Sequence, residues 1–351
     1  MKVLSLVGAR PQFIQEAVLN KEFIKQGVNE VLVHSGQHYD YNMSYSFIET
    51  LDIKKPQYFL GIKATTHAET TGQTMIEFEK IAYKEKPTVI LVNGDTNTTL
   101  AGALVAAKLK IPLVHVEAGI RMEPKTMPEE INRVVTDHVS QLLTCPSKLT
   151  VANLKKEGIV NGVHLVGDVM YDLFLAMKSN FDLEYHKKLV LKENNYVIAT
   201  IHRDYNVDDP HVLEAILKQL SLISAEMSVV FPLHPRTKKR IKQFGLNKYL
   251  KKLLITEPLN YFQLMGLTRN TYKVITDSGG YQKEAFYFQK QAIVVMPDTG
   301  WRELLGWNYL ADSAKISSLI YKKPICIPPQ DVYGKGNAGH KIVSLLKKSF
   351  Q

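Results

Sequence analysis

Cysteine is scarce in this chain: its 351 residues include only Cys145 and Cys326. Two thiols cannot build a disulfide framework, and a pair of buried thiols in a reducing compartment is the expectation. No apolar run approaches the roughly 20 residues that cross a bilayer as a helix. The run Val3–Val7 is too short for a secretory signal and has no cleavage site after it, so a cytoplasmic protein is expected. No Cys/His cluster or His-x-x-x-His pair occurs, and no metal is expected. Neither the GxGxxG fingerprint nor the Walker phosphate loop is present. Gly8-Ala9-Arg10-Pro11 stands where a dinucleotide fingerprint would be, which speaks against a dehydrogenase or an NTPase and leaves no cofactor to expect. Internal repeats, low-complexity runs and heptads are missing too.

What is present is ordinary globular composition, 45% hydrophobic and 22% charged, in a length that suits two domains. The formal net charge is +10. Its lysines and arginines are scattered, with short runs such as Lys238-Lys239-Arg240 and no basic arm, so nucleic-acid binding is not expected. A soluble basic surface accounts for most of the surplus, and an anionic small substrate is compatible with it.

Short apolar strands alternate with helical patterns. Val3–Val7, Val31–His34, Val89–Asn93, Leu113–Val116, Leu142–Thr144 and Val163–Val166 read as strands, with helices such as Thr98–Lys108 and Glu129–Val139 between them. The rhythm lapses from Tyr171 to Asn195, which reads as a crossing between domains. It restarts with strands at Val197–Ile201, Val229–Leu233, Leu253–Thr256, Val274–Asp277 and Ala292–Val295, and an amphipathic helix at His211–Glu226. The expected fold is α/β with two Rossmann-like domains: residues 1–170, a crossing at 171–195, then 196–335, with 336–351 left as a final helix. Two such halves imply an active site in the cleft between them.

In parallel sheets, functional residues gather past the carboxyl ends of strands. Those positions hold Arg10, Asp95, Glu117, His202-Arg203, His234-Pro235-Arg236 and Asp277-Ser278-Gly279-Gly280. Glycines ahead of the helical run Tyr281–Phe288 would let backbone N–H groups approach an anion, so this turn reads as a pyrophosphate cradle or, equally, as a Ser cap with turn glycines. Glu284, one turn on, could take a ribose or face solvent. Asp95, Glu117 and Glu129 are candidate acid–base groups, since grouped carboxylates drive one another's pKa values apart. Glu129 follows Pro128, so capping the helix is its competing role. His202 and Arg10 are the natural cations for a departing phosphate.

The same residues carry a family likeness. GARP at Gly8–Pro11, GDT at Gly94–Thr96, HVEAGIR at His115–Arg121, PEEINR at Pro128–Arg133, HR at His202–Arg203, TDSGGYQKEA at Thr276–Ala285 and YGKGNA at Tyr333–Ala338 resemble the non-hydrolysing UDP-N-acetylglucosamine 2-epimerases. GARPQFI, SGQHYDYNMS (Ser35–Ser44), GDVMYD and FPLHPRT look most like a branch that includes epimerases for UDP-2,3-diacetamido-glucuronic acid. The resemblance implies a glycosyltransferase-B-like fold whose last helix, near Ala338–Phe350, returns to the first domain. It implies a UDP-amino sugar substrate and an isomerase that inverts carbon 2 by expelling UDP and re-adding it to a 2-acetamidoglucal. It implies catalytic roles for Asp95, Glu117, Glu129 and His202, and substrate or UDP contacts for Arg10, Arg133, Ser278, Gly279, Gly280 and Glu284. A homodimer is expected. Hydrolysing relatives, UDP-sugar binders and glycosyltransferases of the same architecture are the alternatives. Departures from the family pattern are Gln15 for Lys, Tyr205 for Glu, and Met296–Trp301 for a segment with Arg, Asp and Glu; each removes charge from the expected pocket.

Overall fold

A computed structural model describes residues 1–36, 55–64 and 66–350, apart from the side chains of residues 10, 13 and 14. The Gln37-His38 turn and the Arg10 side chain therefore lie outside the described residues. The chain divides into two units, Met1–Ala176 with Gln330–Gln351, and Met177–Pro329.

The first unit runs β1 (Lys2–Val7), α1 (Arg10–Lys25), β2 (Asn29–His34), β3 (Tyr58–Phe59), α2 (His67–Glu85), β4 (Val89–Asn93), α3 (Asn97–Leu109), β5 (Leu113–Val116), α4 (Pro128–Val139), β6 (Leu142–Cys145), α5 (Lys148–Lys156), β7 (Val163–Leu165) and α6 (Val169–Met177). Its described strands form one parallel sheet in the order β3-β2-β1-β4-β5-β6-β7. The strands are apolar throughout because both faces are covered. Leu4, Leu6, Ile90 and Val92 pack with Phe78, Ala103 and Ala106. Their alternate neighbours Val3, Val89 and Leu91 pack with Leu19 and Phe23 on the other face. Thr96 caps α3 through its hydroxyl, and Pro128 opens α4.

The second unit holds α7 (Tyr185–Lys188), β8 (Tyr196–Thr200), α8 (Asp204–Val207), α9 (Pro210–Ile223), β9 (Ser228–Pro232), α10 (Pro235–Gln243), β10 (Leu254–Thr256), α11 (Tyr261–Asn270), β11 (Lys273–Thr276), α12 (Gly279–Tyr287), β12 (Ala292–Val294) and β13 (Tyr309–Leu310). Its parallel sheet has the order β10-β9-β8-β11-β12-β13. Leu213, Ile216, Leu217 and Leu220 of α9, spaced as one helical face, pack on Val197, Val229 and Phe231. The last helix, α13 (Ala338–Phe350), buries Ile342, Val343 and Leu346 in the first unit, against Val3, Leu19 and Phe23.

The polar stretch from Tyr171 to Asn195 contains most of α6 and all of α7, because Leu173 and Phe174 give it a short buried face. Both cysteines are free thiols. Cys145 is buried, which pushes its thiol up to about 12, whereas Cys326 is exposed and corrects the expectation of two buried thiols. No described helix is long and apolar enough to cross a membrane.

In each sheet the strand order reverses at one point, between β1 and β4 and between β8 and β11. The carboxyl ends there carry Gly8–Pro11 and Gly94–Thr96 in the first unit, and His202 and Asp277–Gly280 in the second. Such switch points are where open α/β sheets bind ligands.

Candidate active site

In the first unit, Asp95 follows β4 and Glu117 follows β5, so the two carboxylates leave adjacent parallel strands at the same edge. Glu117 has φ 73°, a left-handed conformation that an L-residue with a side chain holds only when its surroundings impose it. Thr144 Oγ1 anchors the strand end by donating to the His115 carbonyl (3.1 Å), and the Thr144 carbonyl accepts from the N–H groups of Glu117 (3.2 Å) and Ala118 (3.1 Å). Gln15 Nε2 donates to Glu117 Oε2. The residue that replaces the family lysine thus still reaches this carboxylate, as a neutral donor.

Asp95 is held by α4. Arg133 donates to its carboxylate, and Asn132 Nδ2 donates to its carbonyl at 2.9 Å. Arg133 is buried and also pairs with Glu130 at 3.0 Å. Burial works against the Arg133 charge, but Asp95, Glu130 and Glu117 outweigh it and hold its pKa above the usual value. Burial pushes the Glu130 carboxyl up, and Arg133 and the Met122 N–H only partly offset this. Glu129, its neighbour, is partly exposed in the first turn of α4. Gln12 braces the two switch-point turns. Its Oε1 accepts from Gly8 N (2.7 Å) and Ala9 N (2.8 Å), and its Nε2 donates to the Asn93 carbonyl (2.9 Å).

In the second unit, Asp277 ends β11 with its side chain wholly buried. It accepts from the N–H groups of His202 (2.9 Å) and Arg203 (2.9 Å), from Asn206 Nδ2 (3.1 Å) and from His202 Nδ1 (3.0 Å). Burial alone would raise its pKa, but these partners hold it below the usual carboxylate range. His202 is thereby fixed by one ring nitrogen, with about a third of its side chain exposed. Ser278 caps α12, accepting from Tyr281 N at 3.4 Å, and its own N–H donates to Thr276 Oγ1. A Cβ built on Gly279 would meet only Trp301 Nε1, at 3.6 Å. The helix therefore has room there for a side chain, and packing does not explain this glycine. Glu284 is buried one turn along α12. The departing segment Met296–Trp301 is tied to α12 as well: Thr299 Oγ1 donates to Gln282 Oε1 at 2.9 Å, and Lys283 Nζ lies 3.5 Å from the Trp301 ring centroid.

Residues 21–347 match the family model for UDP-N-acetylglucosamine 2-epimerases. The chain belongs to this family. It is 41% identical over 365 residues to a UDP-2,3-diacetamido-2,3-dideoxy-D-glucuronate 2-epimerase of Pseudomonas aeruginosa, covering 99% of this chain and 100% of that one. It is 40% identical over 360 residues to a UDP-N-acetylglucosamine 2-epimerase homologue of Methanococcus maripaludis, covering 99% of each. Among solved structures it resembles the UDP-GlcNAc 2-epimerase of Methanocaldococcus jannaschii in complex with UDP-GlcNAc and UDP, with a TM-score of 0.90 and 36% identity over 99% of this chain and 100% of that one. The fold is of the glycosyltransferase-B-like class, with two Rossmann-like units.

Within this epimerase family member, the first unit holds Asp95, Glu117, Glu129 and Arg133, and the second holds His202, Ser278, Gly279, Gly280 and Glu284. Asp95 and Arg133 are in direct contact. Sequence reading passed over Glu130, Asp137, Gln12 and Asn206, and treated Asp277 only as the lead-in to a cradle. A usable signal existed for Glu130 and Asp137: they stand three residues before and four after Arg133, on one helical face.

Proposed function

We propose that this chain inverts carbon 2 of a UDP-linked N-acetylated amino sugar without net hydrolysis, either UDP-GlcNAc to UDP-ManNAc or the 2,3-diacetamido-glucuronate analogue. It is an isomerase of the UDP-sugar 2-epimerase type. The observation that carries the reading is the full-length family match together with two carboxylates at adjacent strand ends beside a switch point.

The chemistry explains why such residues are needed. The carbon-2 proton has no adjacent carbonyl, so direct removal is very unfavourable. If UDP leaves from carbon 1 as the proton leaves carbon 2, the electron pair of the C–H bond becomes the C1–C2 double bond of a 2-acetamidoglucal. UDP takes the C1–O pair. Re-addition of UDP at carbon 1, with a proton delivered to the opposite face of carbon 2, gives the epimer. Asp95, Glu117 and Glu129 are assigned the two proton transfers. Arg133 orients Asp95 and meets the substrate. His202 and Arg10 steady the departing diphosphate, the N–H groups at Ser278, Gly279 and Gly280 cradle it, and Glu284 takes the ribose. No cofactor or metal enters this scheme. The setting is cytoplasmic, the enzyme a homodimer, and the product a precursor of cell-surface polysaccharide.

Proton NMR of the enzyme with each candidate UDP-sugar in deuterated water tests the reading. Deuterium should enter carbon 2 while UDP-sugar persists as two epimers. Asp95→Asn and Glu117→Gln should each lower that exchange by on the order of a hundred- to ten-thousand-fold, with UDP affinity little changed. Stoichiometric UDP and free sugar would instead identify a hydrolysing enzyme, and absence of exchange with every UDP-amino sugar a binding protein.

A further inference from the structure

The structure assigns a positioning role to the buried chain His115–Asp137–Arg121, which ties the turn bearing Asp95 to the turn bearing Glu117. The assignment rests on the epimerase reading above.

His115 lies in β5 with its side chain wholly buried, and it reaches in two directions. Its Nε2 contacts the Gly94 carbonyl at 2.8 Å, immediately before Asp95. Its Nδ1 contacts Asp137 Oδ1 at 2.6 Å. Both neighbours are acceptors, so the ring donates from both nitrogens. Asp137, on α4, also accepts from Gly119 N at 3.2 Å, two residues past Glu117, and from Arg121 Nη1 at 2.7 Å. Arg121 closes the far end with a two-pronged contact to Glu157, at 2.7 and 2.6 Å. The second turn has little freedom of its own: Gly119 has φ 83°, and a Cβ on it would fall 2.4 Å from the Thr150 carbonyl.

Helix α4 joins this chain to the carboxylate itself. Arg133, one turn before Asp137, holds the Asp95 side chain, and Asn132 holds the Asp95 carbonyl. Although burial pushes the Asp137 carboxyl up, His115 and Arg121 hold it below the usual range. A buried charged pair is a poor device for stability alone, because apolar side chains of similar volume would serve as well. Here three of the arms end on the backbone beside Asp95 or Glu117. None of His115, Asp137 and Arg121 contacts either carboxylate directly, so their effect is on where those carboxylates stand. A displacement of about 1 Å can cost on the order of a hundredfold in rate.

The test uses the full-length enzyme and two variants, Asp137→Asn and Arg121→Met, assayed with the UDP-sugar that wild type epimerises. Readouts are kcat, KM, and the amount of free 2-acetamidoglucal and UDP released per epimer formed. That last ratio belongs to each active molecule and does not change when part of the sample unfolds. Misplaced carboxylates slow the return proton transfer, so intermediate escapes. The expected result is a fall in kcat of about a hundredfold for Asp137→Asn and about tenfold for Arg121→Met, KM within about threefold, and a clear rise in released glycal per epimer. Arg121 sits at the rim with 15% of its side chain exposed, so its variant decides the matter should Asp137→Asn fail to fold. Wild-type kcat and partition in a folded variant would overturn the assignment, and so would a lower kcat with a wild-type partition. Absence of epimerisation by wild type itself would count against the epimerase reading on which the assignment stands.

Discussion

Asp277→Asn is a sharp perturbation, because it changes one oxygen of a wholly buried carboxylate and little of its volume. One carboxylate oxygen, Oδ2, accepts from His202 N (2.9 Å), Arg203 N (2.9 Å) and Asn206 Nδ2 (3.1 Å), and an amide oxygen can keep all three. The other accepts from His202 Nδ1 at 3.0 Å, and there the variant presents an NH2 group. Two donors then face each other unless the imidazole moves its hydrogen to Nε2. One charge-assisted bond worth about 1.5–3 kcal/mol is lost and three are weakened, while the relief of no longer burying a charge offsets part of this. The net cost is about 2 kcal/mol, read by chemical unfolding. The functional cost is larger: a His202 in the wrong tautomer, with its ring free to turn, should lose on the order of a hundred- to ten-thousand-fold in kcat. The pH dependence has a defined sign. Asp277 has its folded-state pKa below the unfolded value of about 4, so its contribution is fully present above pH 4 and is lost as pH falls through the folded value. The stability gap between wild type and variant should be flat from pH 8 to about pH 5 and shrink below about pH 4. A folded variant with kcat within about tenfold of wild type would refute the claim that this contact sets the state of His202.

Two helix glycines of the second unit should answer substitution in opposite ways. Gly279→Val adds a side chain where only Trp301 Nε1 is near, so the fold should survive while UDP binding measured by calorimetry weakens by about tenfold or more; unchanged affinity would remove α12 from the diphosphate site. Gly266→Ala in α11 would place a Cβ 1.9 Å from the Asp182 carbonyl oxygen, so it should destabilise the second unit by about 1–3 kcal/mol in urea, and an unshifted transition would contradict the close approach of α11 to that backbone.

The sheets were legible because their strands are apolar on both faces and end in glycine or charge. Val89–Asn93 and Leu113–Val116 read from sequence with the same bounds that they have in the structure. From the ends of those strands, Asp95, Glu117 and His202 followed by topology alone. Side-chain amides were not legible in this way. Gln12 and Gln15 carry no charge and no motif, yet one braces two turns and the other reaches Glu117. Asp277 was visible as a strand-end acid, but its direction, back toward the start of the His202 loop, depends on the pairing of β8 with β11.

Helix α4 shows why the remainder was hidden. A surface helix is oriented from sequence by burying its apolar stripe, and α4 reverses that rule. Ile131 is 49% exposed, whereas Glu130, Asn132, Arg133, Thr136 and Asp137 are all buried. Glu129 drew attention because it follows Pro128, and the fully enclosed acid is the next residue, about 100° further round the helix. Burying such a face is tolerable only when its charges cancel and its donors find acceptors. Glu130 pairs with Arg133, Arg133 with Asp95, and Asp137 with His115 and Arg121, so each charge has an opposite within reach. Opposite charges at spacings of three and four on a helix beside two strand-end carboxylates are therefore a readable sign that the polar side, not the apolar one, faces inward.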